Sequence, residues 1–239
     1  RHDRVTGITR MIDLLPNGEN PWEGGSFSAI SADGNRIVYR SLDGGLVAGD
    51  TNQAFDIFVY DVLAGTTRRV SVDSSGMQGS DMANRPAISA DGRYAAFDTT
   101  SSIVTGDSNS RSDIFVHDLV TGATTRVSIK TDSTQANNHS TQASLSGDGR
   151  FVAFTSLATN LITGDTNGQS DIFLHDRMTG ITHRVSLTAG GGQATGGAST
   201  APRLSADGHS IVFVSTARNL IPGLKSGSKG QIYLHVLGE

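Results

Sequence analysis

Apolar positions along the 239-residue chain fall in short bursts between polar turns, and the bursts recur in a fixed order. The first of each set holds one large apolar residue among small ones: Ala29-Ile30-Ser31, Ala87-Ile88-Ser89, Ser144-Leu145-Ser146 and Arg203-Leu204-Ser205. That alternation suits a strand packed tightly on one face. An Ala-Asp-Gly turn follows (Gly-Asp-Gly at 147–149), whose glycines supply the positive φ of a hairpin. The second burst carries Tyr39, Phe97, Phe154 and Phe213; the third begins at Asp56, Asp113, Asp171 and Gln231. A fourth follows a glycine turn at Thr66 to Val70, Thr124 to Val127 and Thr182 to Val185. The turn aspartates Asp33, Asp91, Asp148 and Asp207 lie 58, 57 and 59 residues apart. A period of that size marks a repeat of units too small to bury a hydrophobic face alone.

Four hairpin-linked strands per unit, with no helical stretch, predict an all-β fold: a four-bladed β-propeller of four-stranded antiparallel blades. The blades are expected at about 16–72, 73–129, 130–187 and 188–239, in a single domain spanning 1–239. The chain opens on His2-Asp3-Arg4-Val5-Thr6-Gly7-Ile8-Thr9, matching the end of a third burst and a whole fourth one. It finishes on Gln231-Ile232-Tyr233-Leu234-His235, a third burst with no fourth. The N-terminal strand, at 7–15, is therefore expected to complete the last blade, closing the ring and hiding two sheet edges.

The units resemble the TolB-like, WD40-like propeller repeat of bacterial proteins, whose pattern is SxDGxxxAF…DIFxxD…TxxxxS. Here it reads SADGRYAAF with DIFVHD, SGDGRFVAF with DIFLHD, and SADGHSIVF with QIYLHV. The resemblance covers nearly the whole chain. It implies a periplasmic or secreted docking platform, or an accessory domain beside an enzyme; a few such propellers are lyases or hydrolases with residues added at the central mouth. Similar proteins have six or seven blades, so four is a departure.

Composition narrows the reading. Charged residues make up 18% of the chain, and a net charge of −4 with no Lys/Arg cluster argues against a nucleic-acid surface. No apolar run approaches the roughly 18 residues needed to cross a bilayer. Zero cysteines exclude disulfides, thiolate catalysis and cysteine-based zinc sites, and suit a bacterial exterior without proving one.

The most chemical feature is the loop between the second and third bursts. Asp50, Asn52 and Asp56 recur as Asp107, Asn109 and Asp113, and as Asp165, Asn167 and Asp171. Hard oxygens at positions 1, 3 and 7 of one tight loop suit Ca²⁺, with backbone carbonyls and water completing six to eight ligands. The competing reading is turn chemistry, in which Asp and Asn bond their own backbone. The fourth copy, 223–231, loses every carboxylate and gains Lys225 and Lys229, so about three calcium sites are expected.

Other candidates carry less. His117, His175 and His235 share one repeat position and are expected to be hydrogen-bonded inside their blades. Ser31, Ser89, Ser146 and Ser205 are expected around the central channel. Arg69, Arg126 and Arg184 are expected to pair across strands with Asp61, Asp118 and Asp176. Trp22 and His139, in non-repeating loops, are candidate ligand contacts. No catalytic set emerges. The resulting expectation is a non-enzymatic, calcium-stabilised binding or scaffolding module, monomeric and secreted or periplasmic, whose partner is a protein or glycan. The alternative is a carbohydrate-active lyase or hydrolase, or a glycan-binding propeller, with its site at the central mouth.

Overall fold

The computed structural model describes residues 1–223 and 229–237. The described residues form fifteen β-strands in four antiparallel sheets, with no helix. The first sheet comprises β1 (Ser26–Ile30), β2 (Arg36–Ser41), β3 (Asp56–Asp61) and β4 (Thr66–Arg69). The second comprises β5 (Ala83–Ile88), β6 (Tyr94–Thr99), β7 (Asp113–Asp118) and β8 (Thr124–Arg126). The third comprises β9 (Ser140–Leu145), β10 (Phe151–Ser156), β11 (Asp171–Asp176) and β12 (Ile181–Arg184). The fourth has β13 (Ser199–Leu204), β14 (Ser210–Ser215) and β15 (Gln231–Val236). Each sheet runs in sequence order from first strand to last, so this is a four-bladed β-propeller built blade after blade.

Every blade is locked by an aromatic pair directly opposite in the register of its second and third strands. The pairs are Tyr39–Phe58, Phe97–Phe115, Phe154–Phe173 and Phe213–Tyr233, with ring centroids 5.8, 6.0, 5.9 and 5.8 Å apart. Offset stacking of this kind adds to the burial of the rings. The blades join through three apolar clusters. In one, Val38, Ile57, Val59 and Val70 of the first blade meet Ala95, Phe97 and Phe115 of the second. The second–third and third–fourth junctions repeat that arrangement. The strands that begin the blades pack side by side, β1 on β5, β5 on β9 and β9 on β13, and line an axial cavity.

The closing strand expected from the sequence is not formed. Residues 1–10 fold on themselves: His2 bridges Thr9, the Arg10 amide donates to the Arg1 carbonyl, and Asp3 caps the turn by accepting from Val5 and Thr6. β15 pairs only with β14 among the described residues, and no packing comparable to the three junctions joins the fourth sheet to the first. The reason lies in the same sequence match that suggested closure. His2-Asp3 duplicates the end of a third strand, so the segment brings its own partner and satisfies Thr9 locally.

Candidate functional site

The loop residues singled out by their spacing do come together. Asn52 donates from Nδ2 to Asp56 Oδ2 (3.0 Å) and to the Gly79 carbonyl (2.9 Å), while its Oδ1 accepts from the Ala54 amide. Asn109 and Asn167 repeat these bonds with Asp113 and Asp171 at 2.8 Å. The hydroxyls of Ser71, Ser128 and Ser186 donate to the other oxygen of Asp56, Asp113 and Asp171 at 2.5 Å. A guanidinium then closes each set. Arg69 Nη1 lies 3.1 Å from Asp50 and 3.6 Å from Asp56; Arg126 lies 3.0 Å from Asp107 and 3.6 Å from Asp113. Arg184 lies 3.4 Å from Asp165 and 3.7 Å from Asp171. Burial still dominates the carboxyls: it pushes Asp56, Asp107 and Asp165 up, and Asp113 to about 6.

A calcium ion does not fit these loops as they are folded. It needs six to eight oxygens, whereas each asparagine turns its amide nitrogen, not its oxygen, toward the carboxylate, and a guanidinium already bridges the two aspartates. Among the described residues no group of three or more His, Cys, Asp or Glu is placed to hold a metal. The fourth-copy loop lies mostly outside the described residues, and Lys225 with it.

The arginines therefore pair differently from the sequence expectation. In the β3–β4 register Asp61 faces Thr66, while Arg69 faces Phe58 at the other end of the ladder, beside the start of β3. Three residues of strand, roughly 10 Å, separate it from Asp61. Asp118 and Asp176 instead take bidentate pairs from Arg93 and Arg150, at 2.7 Å for the shorter bond. Asp61 faces Arg36 at 3.6 Å. Ser31, Ser89, Ser146 and Ser205 each donate to the turn aspartate two residues on, and none lines the axial cavity. Two of the three histidines behave as expected: His117 and His175 sit 2.9 Å from the hydroxyls of Thr124 and Thr182, whereas the His235 ring has no such bond among the described residues.

The feature that sequence reasoning missed lies at the axis. Each first strand carries a bulge, between Ser26 and Ala29, Asn84 and Ala87, Thr141 and Ser144, and Thr200 and Arg203. At each bulge a non-glycine residue adopts positive φ: Phe27 (49°), Arg85 (47°), Gln142 (61°) and Ala201 (54°). All four line the axial cavity of about 470 Å³, along with Arg203. A bulge re-aims a side chain; here the position repeats while the residue changes.

A second cavity, of about 710 Å³, shares Arg85 with the axial one and is also lined by Phe55, Met82, Asp98, Ser112 and His139. Asp98 is 2% exposed, and burial pushes its carboxyl up to about 6. Its neighbours are Arg85 Nη1 at 3.6 Å, the Ser112 hydroxyl at 3.5 Å and the Gln142 amide at 3.4 Å. Arg40 spans the Phe55 ring at 3.8 Å and the Phe27 ring at 5.0 Å, and donates to Asn84 Oδ1 at 2.5 Å. Its Nε is buried with no acceptor. Of the two ligand candidates, His139 borders this cavity, its Nδ1 accepting from the Ser112 amide. Trp22 does not; its ring is 94% exposed and its amide donates to Asp43.

Fold and axial cavity together define a β-propeller of TolB-like architecture. Among solved structures, TolB from Acinetobacter baumannii is similar at 23% identity over 90% of this chain, with a TM-score of 0.53; the chain spans 41% of that protein. A putative TolB from Agrobacterium tumefaciens matches at 17% identity over 94% of this chain and 80% of its own, TM-score 0.53. The propeller domain of the Trilobed protease from Pyrococcus furiosus, which has an open velcro topology, matches at 15% identity over 91% of this chain and 55% of its own, TM-score 0.52. No protein-family model and no curated protein sequence matches the chain. The likeness establishes the fold alone; the function must be argued from the site.

Proposed function

We propose that this chain is a non-enzymatic binding module that takes a carboxylate-bearing ligand at the axial mouth. The observation that carries this reading is the set of four bulges, where left-handed backbone costing roughly 1–2 kcal/mol per residue is retained under side chains that differ from blade to blade. Strain of this kind gathers at ligand sites. The mouth and channel set Arg40, Arg85 and Arg203 against the single buried carboxyl of Asp98. A guanidinium fork matches a carboxylate in two parallel hydrogen bonds, and Phe27 and Phe55 flank Arg40 with apolar surface. Asp98 has Arg85 beside it, and Asp81, the other carboxylate lining this cavity, is exposed, an arrangement that favours binding over glycoside hydrolysis by paired carboxyls.

The test is a panel of dicarboxylic acids, acidic oligosaccharides and free peptides, screened by ligand-observed NMR against the native chain and Arg85→Ala. The expected result is millimolar or tighter binding of carboxylate probes that the substitution removes. If no probe distinguishes the two proteins, the axial reading is wrong. Asp98 competes for Arg85 when ionised, so affinity at pH 7 should rise in Asp98→Asn.

The three loop sets belong to the frame in this reading. The guanidinium of Arg69, Arg126 or Arg184 takes the charge-balancing place that the spacing suggested for calcium. Exhaustive chelation should leave the melting midpoint unchanged; a rise of several degrees with calcium alone would restore the loops as metal sites. A secreted or periplasmic location agrees with the lack of cysteine and is checked by fractionation of the source cells.

A further inference from the structure

Three blades run from the end of the second strand to the loop glycine in equal length, at 41–49, 156–164 and 215–223; the second blade, at 99–106, is one residue shorter. Hydrogen bonds locate the residue it lacks. Ser101 takes the place of Ala158 and Ala217, its amide donating to Thr99 Oγ1 as theirs donate to the hydroxyls of Ser156 and Ser215. Ile103 takes the buried place of Leu161 and Leu220. Between the two stands Ser102 alone, where the third and fourth blades have Thr159-Asn160 and Arg218-Asn219. The second blade lacks the asparagine.

That asparagine ties its blade to the loop of the blade before. Asn160 Oδ1 accepts from the Asn137 amide and its Nδ2 donates to the Gln135 carbonyl, both at 2.9 Å. Asn219 does the same with Thr195 and Gln193, at 2.7 and 3.0 Å. A primary carboxamide presents a donor and an acceptor together, which is what this amide and carbonyl require. At the junction of the first and second blades the equivalent pair is the Ser80 amide and the Gln78 carbonyl, and neither is hydrogen-bonded among the described residues.

The loop that carries the pair is nonetheless held as its siblings are. The Gly79 amide donates to Ser71 as the Ala136 amide does to Ser128, and Asn52 donates to the Gly79 carbonyl as Asn109 does to that of Ala136. Ser101 braces it further, its Oγ accepting from the Asp81 amide at 2.8 Å and donating to the Asp81 carbonyl at 3.3 Å. That hydroxyl shuts out the alanine of the other loops, since a Cβ at Gly79 would lie 2.6 Å from it. Beside the pair is a cavity of about 470 Å³ lined by Gln78, Ser80, Ser102 and Ile103, with Asp73 and Asp81 also on its wall.

We propose that this cavity binds a primary carboxamide from outside the chain, the side chain of glutamine or asparagine, in the place that Asn160 and Asn219 fill from within. The carboxamide accepts from the Ser80 amide and donates to the Gln78 carbonyl. A carboxylate of the same shape is refused: it has no proton for the carbonyl, and Asp73 and Asp81 repel its charge. The site uses none of the axial arginines.

Titration of the isotope-labelled chain, followed by NMR, reads the contact directly. With N-acetylglutamine methylamide the Ser80 backbone amide resonance should move, with a Kd of millimolar to tens of millimolar, as suits two neutral hydrogen bonds near the surface. The amides of Asn137 and Thr195, already bonded within the chain, should stay. The same probe dimethylated on its side-chain nitrogen, and N-acetylglutamate methylamide, should leave Ser80 unmoved. Free glutamine giving the same shift assigns the site to a small amide, and the capped residue alone to a peptide side chain; either upholds the carboxamide. Grafting Ala-Thr-Asn in place of Ser101-Ser102, with Gly79→Ala, restores the internal asparagine and should abolish the response in a chain of native circular dichroism. Arg85→Ala should leave the response intact, which separates this site from the axial one. A Ser80 resonance unmoved by capped glutamine, or moved equally by capped glutamate, would overturn the proposal.

Discussion

Two histidines should govern how this fold responds to acid. His117 and His175 are 5% and 4% exposed, and burial pushes both from the ordinary 6.5 down to about 4. A base depressed in the folded state stabilises the fold while it is neutral; that contribution is present above pH 6.5 and is lost as pH falls through 4. The full shift is worth roughly 3 kcal/mol per ring, and the pair loses roughly 4 kcal/mol between pH 7 and pH 5. Asp98 and Asp113 act in the opposite sense, raised from 3.8 to about 6. Their contribution is full below 3.8 and disappears as pH rises through 6, so the same acidification restores about 2.5 kcal/mol. Asp56, Asp107 and Asp165, also raised, act in the same sense as Asp98 and Asp113, so they too blunt the native chain's loss. The double variant His117→Asn, His175→Asn keeps a polar group near each threonine hydroxyl and removes the titration. Between pH 7 and pH 5 it should gain roughly 4 kcal/mol relative to the native chain. Urea unfolding at pH 7, 6 and 5 reads both slopes. All other titrating groups are common to the two proteins, so parallel profiles would refute the argument.

Arg126→Ala should cost about 3–5 kcal/mol, because it strands Asp107 and Asp113 as buried neighbours; chemical denaturation measures it, and a loss below ~1 kcal/mol would deny the clamp a structural role. Ala201→Gly relieves left-handed strain at φ 54° and removes one methyl group, so the midpoint should hold or rise by a few degrees in a thermal melt. Gly149→Ala puts a Cβ 2.2 Å from the Tyr94 ring at φ +68°, whereas Gly122→Ala at φ +76° meets nothing within 4 Å. Both incur about 1–2 kcal/mol of backbone strain, and only the former should lose a further ~1–3 kcal/mol to overpacking; equal losses would mean that the second and third blades do not press together there.

The blades were legible in the sequence because each burst repeats in register and each hairpin is written in turn residues. The loop sets were half legible. Spacing brought Asp107, Asn109 and Asp113 together, but the cation that closes them stands in the next strand. Arg69, Arg126 and Arg184 each follow the last aspartate of their set by 13 residues, a constant interval that holds the answer once the β3–β4 register is known. Sequence proximity pointed to Asp61 instead. The axial site was hidden for a different reason: Phe27, Arg85, Gln142 and Ala201 break the repeat, and none is a residue type that announces a left-handed backbone. Non-repetition at a repeat position was the available signal, and it drew attention to Trp22 in a loop rather than to Phe27 in the strand five residues on.

The hairpin turns at the axis also touch in sequence, and there the copies are not interchangeable. The Ala32 amide donates to the Ala90 carbonyl at 2.9 Å, whereas the next link runs from Asp91 to Gly147 at 3.0 Å and the last from Gly147 to Ala206 at 2.7 Å. Gly147 gives and receives at once, and a Cβ there would lie 2.8 Å from the Ala206 oxygen. Alanine, which the other turns carry, is shut out. The repeat thereby has a fixed order of parts: a sibling copy, with alanine at this turn, does not fit the third place, although all four still spell nearly the same blade.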